Sequence, residues 1–290
     1  MPEIDMPEVD MPEVDKKVVG NYWEQVKPTI LGPYMMDDYG FPASAGKFRF
    51  GIEEQVVEKL IQNLDRNGAA LDLGSGMGFW AEKFAYSFAR VDALERSSSL
   101  YLDLEKRCSK HSNMRAFLGD ALSFQPDQRY QLIFLGGLLM YLDENDVVIL
   151  LKRLKQCLEP GGIILCREST VRDQTLILKG EYNAVYRSVK SYASLFQKCD
   201  LALRHKEKNE AYILLQMGCE SIDKWKTIMP KPFQVLSWVG HLTYWGLRVG
   251  NPLIQKVPGV FKIPFPKLEN HFLVVEVATD LSNDQLSVNV

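Results

Sequence analysis

The chain has 290 residues, 46% of them hydrophobic and 24% charged, with a formal net charge of −3. That length can bury a real core, and the near-balanced charge gives no electrostatic reason for nucleic acid as the main partner. Five cysteines (Cys108, Cys157, Cys166, Cys199, Cys219) stand without CxxC pairs, and His111, His205, His241 and His271 have no ligand spacing. This argues against a disulfide framework and a metal site, and reduced thiols point to the cytoplasm. The first residues lack the basic start and apolar run of a secretory signal.

The first fifteen residues repeat a pentapeptide three times, MPEID-MPEVD-MPEVD. Its recurring prolines and acids predict a disordered acidic tail over 1–15. Residues 16–50 form an aromatic segment, broken by Pro28, Pro33 and Pro42, that reads as a lid. The core is expected over 51–210. It opens with a helix, Ile52 to Leu64, that places Val56, Val57, Leu60, Ile61 and Leu64 on one face. Strands follow at Ala69–Leu73, Arg90–Leu94, Met114–Leu118, Leu132–Leu135 and Ile163–Cys166, with helices at Phe79–Phe88, Ser98–Lys110 and Glu144–Cys157. A helix over Tyr182–Lys198 and a strand at Leu201–His205 complete the run. Residues 211–268, rich in Trp and Pro, break the pattern and read as an apolar insertion or cap, although Ala211–Met217 could itself be a strand. His271–Ala278 is the closing strand within 269–290. The alternation predicts an α/β fold, a Rossmann-like, doubly wound, mostly parallel seven-stranded sheet with helices on both faces. The uncharged run between Lys231 and Arg248 falls short of the roughly 20 apolar residues that a spanning helix needs, which leaves membrane-surface contact through 231–250 as a minor alternative.

The chemistry gathers at strand ends. Leu71-Asp72-Leu73-Gly74-Ser75-Gly76-Met77-Gly78 is a glycine turn between a strand and a helix, where backbone can approach a ligand. Phe79 stands where a dinucleotide fingerprint would have its third glycine, and Asp72 precedes the turn. A carboxylate there suits a cofactor that carries an ammonium and a sulfonium. Glu95-Arg96, ending the second strand, offers an acid to ribose hydroxyls, and Gly119-Asp120-Ala121, after the third, offers one to an adenine amino group. With the Leu158-Glu159-Pro160-Gly161-Gly162 turn, these make the chain resemble class I S-adenosylmethionine-dependent methyltransferases over about residues 50 to 210. The resemblance implies cofactor contacts at Asp72, Gly74, Ser75, Gly76, Glu95, Arg96, Gly119, Asp120, Ala121 and Leu122, with Leu135 and Gly136 lining the methyl side.

A narrower resemblance covers about 20 to 200. Tyr22-Trp23, Met35-Met36-Asp37, Leu138-Leu139-Met140-Tyr141-Leu142, Arg167-Glu168-Ser169 and the stretch from Tyr182 to Phe196 look like phosphoethanolamine N-methyltransferases. This implies transfer to the nitrogen of a small-molecule amine. Tyr22, Trp23, Tyr39, Tyr141, Tyr182 and Tyr186 could supply rings that stabilise a cation, and Arg187 could hold an anionic group. Tyr141 and Glu168 are the candidates for contacting or deprotonating the acceptor. The apolar insertion departs from that family. O- or C-methylation of an apolar natural product, methylation of a protein N-terminus, and a non-catalytic scaffold stay open, and the oligomeric state is not legible.

Overall fold

The computed structural model describes residues 14–26, 39–180, 183–230, 237–251, 253–254 and 265–278. Residues 1–13 of the repeat, Met35-Met36-Asp37 and Tyr182 lie outside them. In chain order the elements are α1 (Lys16–Gln25), α2 (Ala43–Ile61), β1 (Ala69–Leu73), α3 (Phe79–Ala85), β2 (Arg90–Glu95), α4 (Ser98–Cys108) and β3 (Met114–Leu118). Then come β4 (Tyr130–Leu135), a short 3-10 turn at Leu139–Tyr141, α5 (Glu144–Gln156), β5 (Leu158–Val171), β6 (Leu176–Leu178) and β7 (Ala184–Ser188). The remainder is α6 (Val189–Gln197), β8 (Leu201–Lys208), α7 (Glu210–Ile228), α8 (Ser237–Gly250) and β9 (Glu269–Val277).

The Rossmann-like α/β fold is the one expected. Strands β3, β2, β1, β4 and β5 lie side by side in parallel. β9 then runs antiparallel along β5, with β8 antiparallel on its far side. Alternate residues of the central strands feed two cores, one on each face. Leu71, Ile133 and Leu135 pack with α5 and α6 through Leu150, Leu154 and Phe196. Ala70, Leu132 and Phe134 pack with α2 and α3 through Ile61, Trp80 and Phe84.

Several boundaries differ from expectation. The helix at 52–64 begins at Ala43, and the one at 79–88 stops at Ala85. The segment 182–198 is not one helix, because Ala184–Ser188 forms β7, which pairs with the end of β5 and with β6. The Ser188 hydroxyl accepts from the Ser191 amide at 3.1 Å, so the helix starts there. Ala211–Met217 is helical, capped by Asn209, whose side chain accepts from the Tyr212 amide. At the other end, the last two residues of the pentapeptide repeat pack against the fold. Val14 is buried with Met140 and Tyr141, and Asp15 caps α1.

Candidate active site

A cavity of about 890 Å³ lies at the carboxyl ends of the central strands, where open α/β sheets bind ligands. Its floor begins with the glycine turn. The Gly74 and Ser75 amides both donate to the Leu94 carbonyl of β2, at 3.0 and 2.9 Å. Gly74 and Gly76 take φ of +78° and +57°, where other L-residues are strained by roughly 1–2 kcal/mol. A Cβ on Gly78 would lie 2.5 Å from Leu104 Cδ1, so that glycine lets α3 pack against α4.

Three acids converge beside the turn. The Glu95 carboxylate accepts from the Gly76 and Ser97 amides, each at 2.7 Å. The Gly119 amide donates to the Glu95 carbonyl at 2.9 Å and so sets Asp120 next to it. Asp120 accepts from the Leu122 amide at 2.8 Å and faces Arg96 at 3.4 Å. Asp72 is fully buried and its Oδ2 meets no partner. Burial pushes the Asp72 carboxyl up to about 7, the Ala81 amide opposing and the charge of Glu95 adding to it. Burial likewise raises Glu95, against the Ser97 and Gly76 amides. Trp80 Nε1 and Arg167 Nε, on two further lining residues, are also buried without a partner. Buried polar atoms left unpaired are costly, and one acceptor (Asp72 Oδ2) with two donors (Trp80 Nε1 and Arg167 Nε) around one cavity fits a polar ligand that carries both a cationic and an anionic group.

The opposite part of the wall is aromatic. Trp23 stands edge-on to Tyr141, with ring centroids 5.5 Å apart, and Tyr186 lines the same cavity. Helix α1 is held over the site because Ser97 Oγ donates to the Trp23 carbonyl at 3.0 Å, and Glu24 accepts from the Ser98 amide at 3.1 Å. Of the residues expected here, Asp72, Gly74, Ser75, Gly76, Glu95, Arg96, Gly119, Asp120, Ala121, Gly136, Trp23, Tyr39, Tyr141 and Tyr186 line the cavity. Tyr22 is set behind Trp23 at 5.3 Å, while Leu122 and Leu135 pack into the core on the α5 side.

Glu168 and Arg187 need correction, since both stand behind the wall. Glu168 accepts from the Leu139 amide at 3.0 Å and the Tyr192 hydroxyl at 3.4 Å. Arg187 donates to the Leu139 and Leu142 carbonyls at 2.9 and 2.8 Å. Together they clamp the 3-10 turn that presents Tyr141. Neither side chain lines the cavity.

Strand alternation shows what Glu168 concealed: its neighbours Arg167 and Ser169 face the cavity. Arg167 donates to the Gly136 carbonyl at 3.0 Å and to Glu53 at 2.9 Å. Glu53, fully buried, also accepts from Arg49 at 2.7 Å and Asn209 at 2.6 Å. The two guanidinium groups hold the Glu53 carboxyl below its usual range, although burial opposes them more strongly than any single partner. Arg49 lies over the Tyr212 ring at 4.7 Å, and the Tyr212 hydroxyl meets Ser169 at 3.1 Å. Helix α7 completes the rim with Gln216, Glu220 and Asp223, the last accepting from the Tyr39 hydroxyl at 2.9 Å. The sequence signal for Arg49 and Glu53 is their i, i+4 spacing, which shows only when the helix includes both, as Ala43–Ile61 does.

A family model described as AdoMet dependent proline di-methyltransferase matches residues 12–213. Phosphoethanolamine N-methyltransferase 3 of Arabidopsis thaliana is 30% identical over 156 residues, covering 52% of this chain and 31% of that one. The chain therefore spans about a third of that relative's length. Alpha N-terminal protein methyltransferase 1 of the same plant is 28% identical over 196 residues, or 63% of this chain and 69% of that one. Among solved structures, a SAM-dependent methyltransferase from Leishmania major superposes with a TM-score of 0.55 at 22% identity, covering 67% of this chain and 76% of that one.

Proposed function

The chain belongs to the AdoMet dependent proline di-methyltransferase family, and from that premise we propose that this S-adenosylmethionine-dependent methyltransferase acts on the nitrogen of a small amine. In this reading Asp72, with its unpaired oxygen, receives the cofactor's ammonium. Glu95 serves the ribose hydroxyls, and Asp120 with the Ala121–Leu122 backbone serves the adenine. The surplus positive charge of Arg49 and Arg167 over Glu53 suits the carboxylate of the methionine part. The cofactor supplies a methyl group on positively charged sulfur, so the protein's task is alignment and exclusion of water.

One observation carries the choice of nitrogen. The cavity that holds the strand-end carboxylates runs on to the Trp23, Tyr141 and Tyr186 wall. Aromatic rings then stabilise the more highly methylated, cationic product. The names of both Arabidopsis relatives, phosphoethanolamine N-methyltransferase and alpha N-terminal protein methyltransferase, agree with a nitrogen acceptor. Helices α7 and α8 act as the cap over the acceptor side.

The test is transfer of labelled methyl groups to a panel of free amines including phosphoethanolamine, of phenols, and of peptides beginning Xaa-Pro-Lys. Transfer to a free amine is the expected result, and none to any of them rejects the reading. A second reading, the α-amine of a polypeptide N-terminus, is favoured by the family description and by the relative matched over 69% of its length. Labelled peptide with unlabelled amines would select it.

A further inference from the structure

Helix α8 is amphipathic in an unusual sense, with both of its faces carrying apolar side chains. The inner face is seated. Tyr244 is buried, a Cβ on Gly240 would lie 2.2 Å from the Tyr39 carbonyl oxygen, and one on Gly218 of α7 would lie 3.0 Å from Leu247. Among the described residues the outer face has no such packing. Trp238, Leu242, Trp245 and Val249 are 53%, 62%, 51% and 82% exposed, and Leu253 just beyond is 72% exposed. Their spacings of four, three, four and four residues put them in one stripe along the helix. Two large indole rings in such a stripe are not explained by the fold, the cavity or the reaction.

Charge indicates the partner. Between Asp223 and Glu269 the sequence carries seven Lys or Arg (Lys224, Lys226, Lys231, Arg248, Lys256, Lys262, Lys267) and no acid, so all 37 acidic residues of a net-negative chain lie elsewhere. No helix among the described residues is long and apolar enough to cross a bilayer. A single helix ridge with Trp and Leu outward, set in a purely basic stretch, matches an element that lies in the headgroup plane of an anionic membrane. Trp rings sit at the headgroup boundary, and basic side chains are drawn to the negative surface.

We propose that the outer face of α8 docks this enzyme peripherally on an anionic phospholipid surface. Asp223 and Lys224, at the cavity rim, stand where the acid-free stretch begins in the sequence. The inference stands apart from the identity of the methyl acceptor.

The full chain is floated with vesicles of equal parts phosphatidylcholine and phosphatidylglycerol, and with phosphatidylcholine vesicles alone, at low and high salt. Binding to the anionic vesicles, weakened at least about tenfold by high salt or by pure phosphatidylcholine, is the expected result. Trp238→Ala with Trp245→Ala should weaken it by a similar factor. These rings are exposed, so the variant should bind S-adenosylmethionine like the wild type by titration calorimetry. Absence of flotation with anionic vesicles overturns the proposal, as does flotation undiminished in the double variant. Light scattering that shows a dimer dispersed by the same substitutions would also overturn it, and would assign the stripe to a second copy of this chain. Cofactor binding is read separately, so failure here leaves the methyltransferase reading intact.

Discussion

Asp72 in β1 and Glu168 in β5 are both fully buried carboxyls at the carboxyl edge of one sheet, and burial pushes both up to about 7. They differ in what their oxygens meet. Glu168 is engaged by the Leu139 amide and the Tyr192 hydroxyl, whereas Asp72 leaves Oδ2 with no partner beside an open cavity. A raised titration point therefore records burial and does not by itself mark a group that meets a ligand. The unpaired oxygen separates the two: one acid keeps an acceptor free beside the cavity, and the other spends both oxygens on the turn and on Tyr192.

The largest expected effect breaks the pair at Asp72. Asp72→Ala should weaken S-adenosylmethionine binding by about 100-fold in titration calorimetry, with the fold intact by circular dichroism. Binding as tight as wild type would return Asp72 to a structural role. Glu168→Ala should do the reverse. Loss of the clamp should cost about 3 kcal/mol in denaturant unfolding, with cofactor affinity kept within about threefold. Glu168→Gln keeps an acceptor for the Leu139 amide and should recover most of that loss. A cofactor defect larger than the stability defect would place Glu168 in the site after all.

pH gives a finer test. Asp72 and Glu168 ionise near 7 when folded and near 4 when unfolded, so between those values the folded chain holds more protons and stability falls as pH rises. His271 acts oppositely. Burial lowers it to about 4, so its contribution is present above its ordinary 6.5 and is lost as pH falls towards 4. Melting temperatures of wild type and Asp72→Asn from about pH 5 to about pH 8 isolate the Asp72 part. The variant should lose less stability on going to high pH, and parallel curves would mean that Asp72 does not titrate there. The smallest effect is expected at Tyr141. Tyr141→Phe keeps the ring and should change KM for an amine acceptor by less than about twofold, whereas Tyr141→Ala should raise it about tenfold. Equal loss in both would make the hydroxyl the active part.

Most of the residues expected to hold the cofactor come together at one cavity because the signals for them follow backbone rules: a glycine turn after a strand, and acids just past strand ends. Such signals are local in sequence. The acceptor half depends on which way side chains point. In Arg167-Glu168-Ser169 the conspicuous acid faces away and its neighbours face the cavity, a distinction set by register against β9 rather than by residue type. Arg187 looked like an anion ligand but spends its donors on the Leu139 and Leu142 carbonyls, partners 45 or more residues away. β7 is hard to read as a strand because Ala184-Val185-Tyr186-Arg187-Ser188 shows no apolar–polar alternation, and the structure buries all five residues.

The placement of β9 has a consequence for how the molecule is made. The last described strand in sequence is an interior strand of the sheet: Val275 pairs with Ile164 on one side and Leu203 on the other. Among the described strands β8 pairs only with β9, so β8 and the β9-facing edge of β5 stay unpaired until α7, α8 and residues 269–277 have been added. Closing so long a loop is slow, and both flanking strands keep an unpaired backbone edge until it closes. A chain that stalls or is cut within it presents two sticky edges at once, the state in which a nascent protein of this architecture most needs a chaperone.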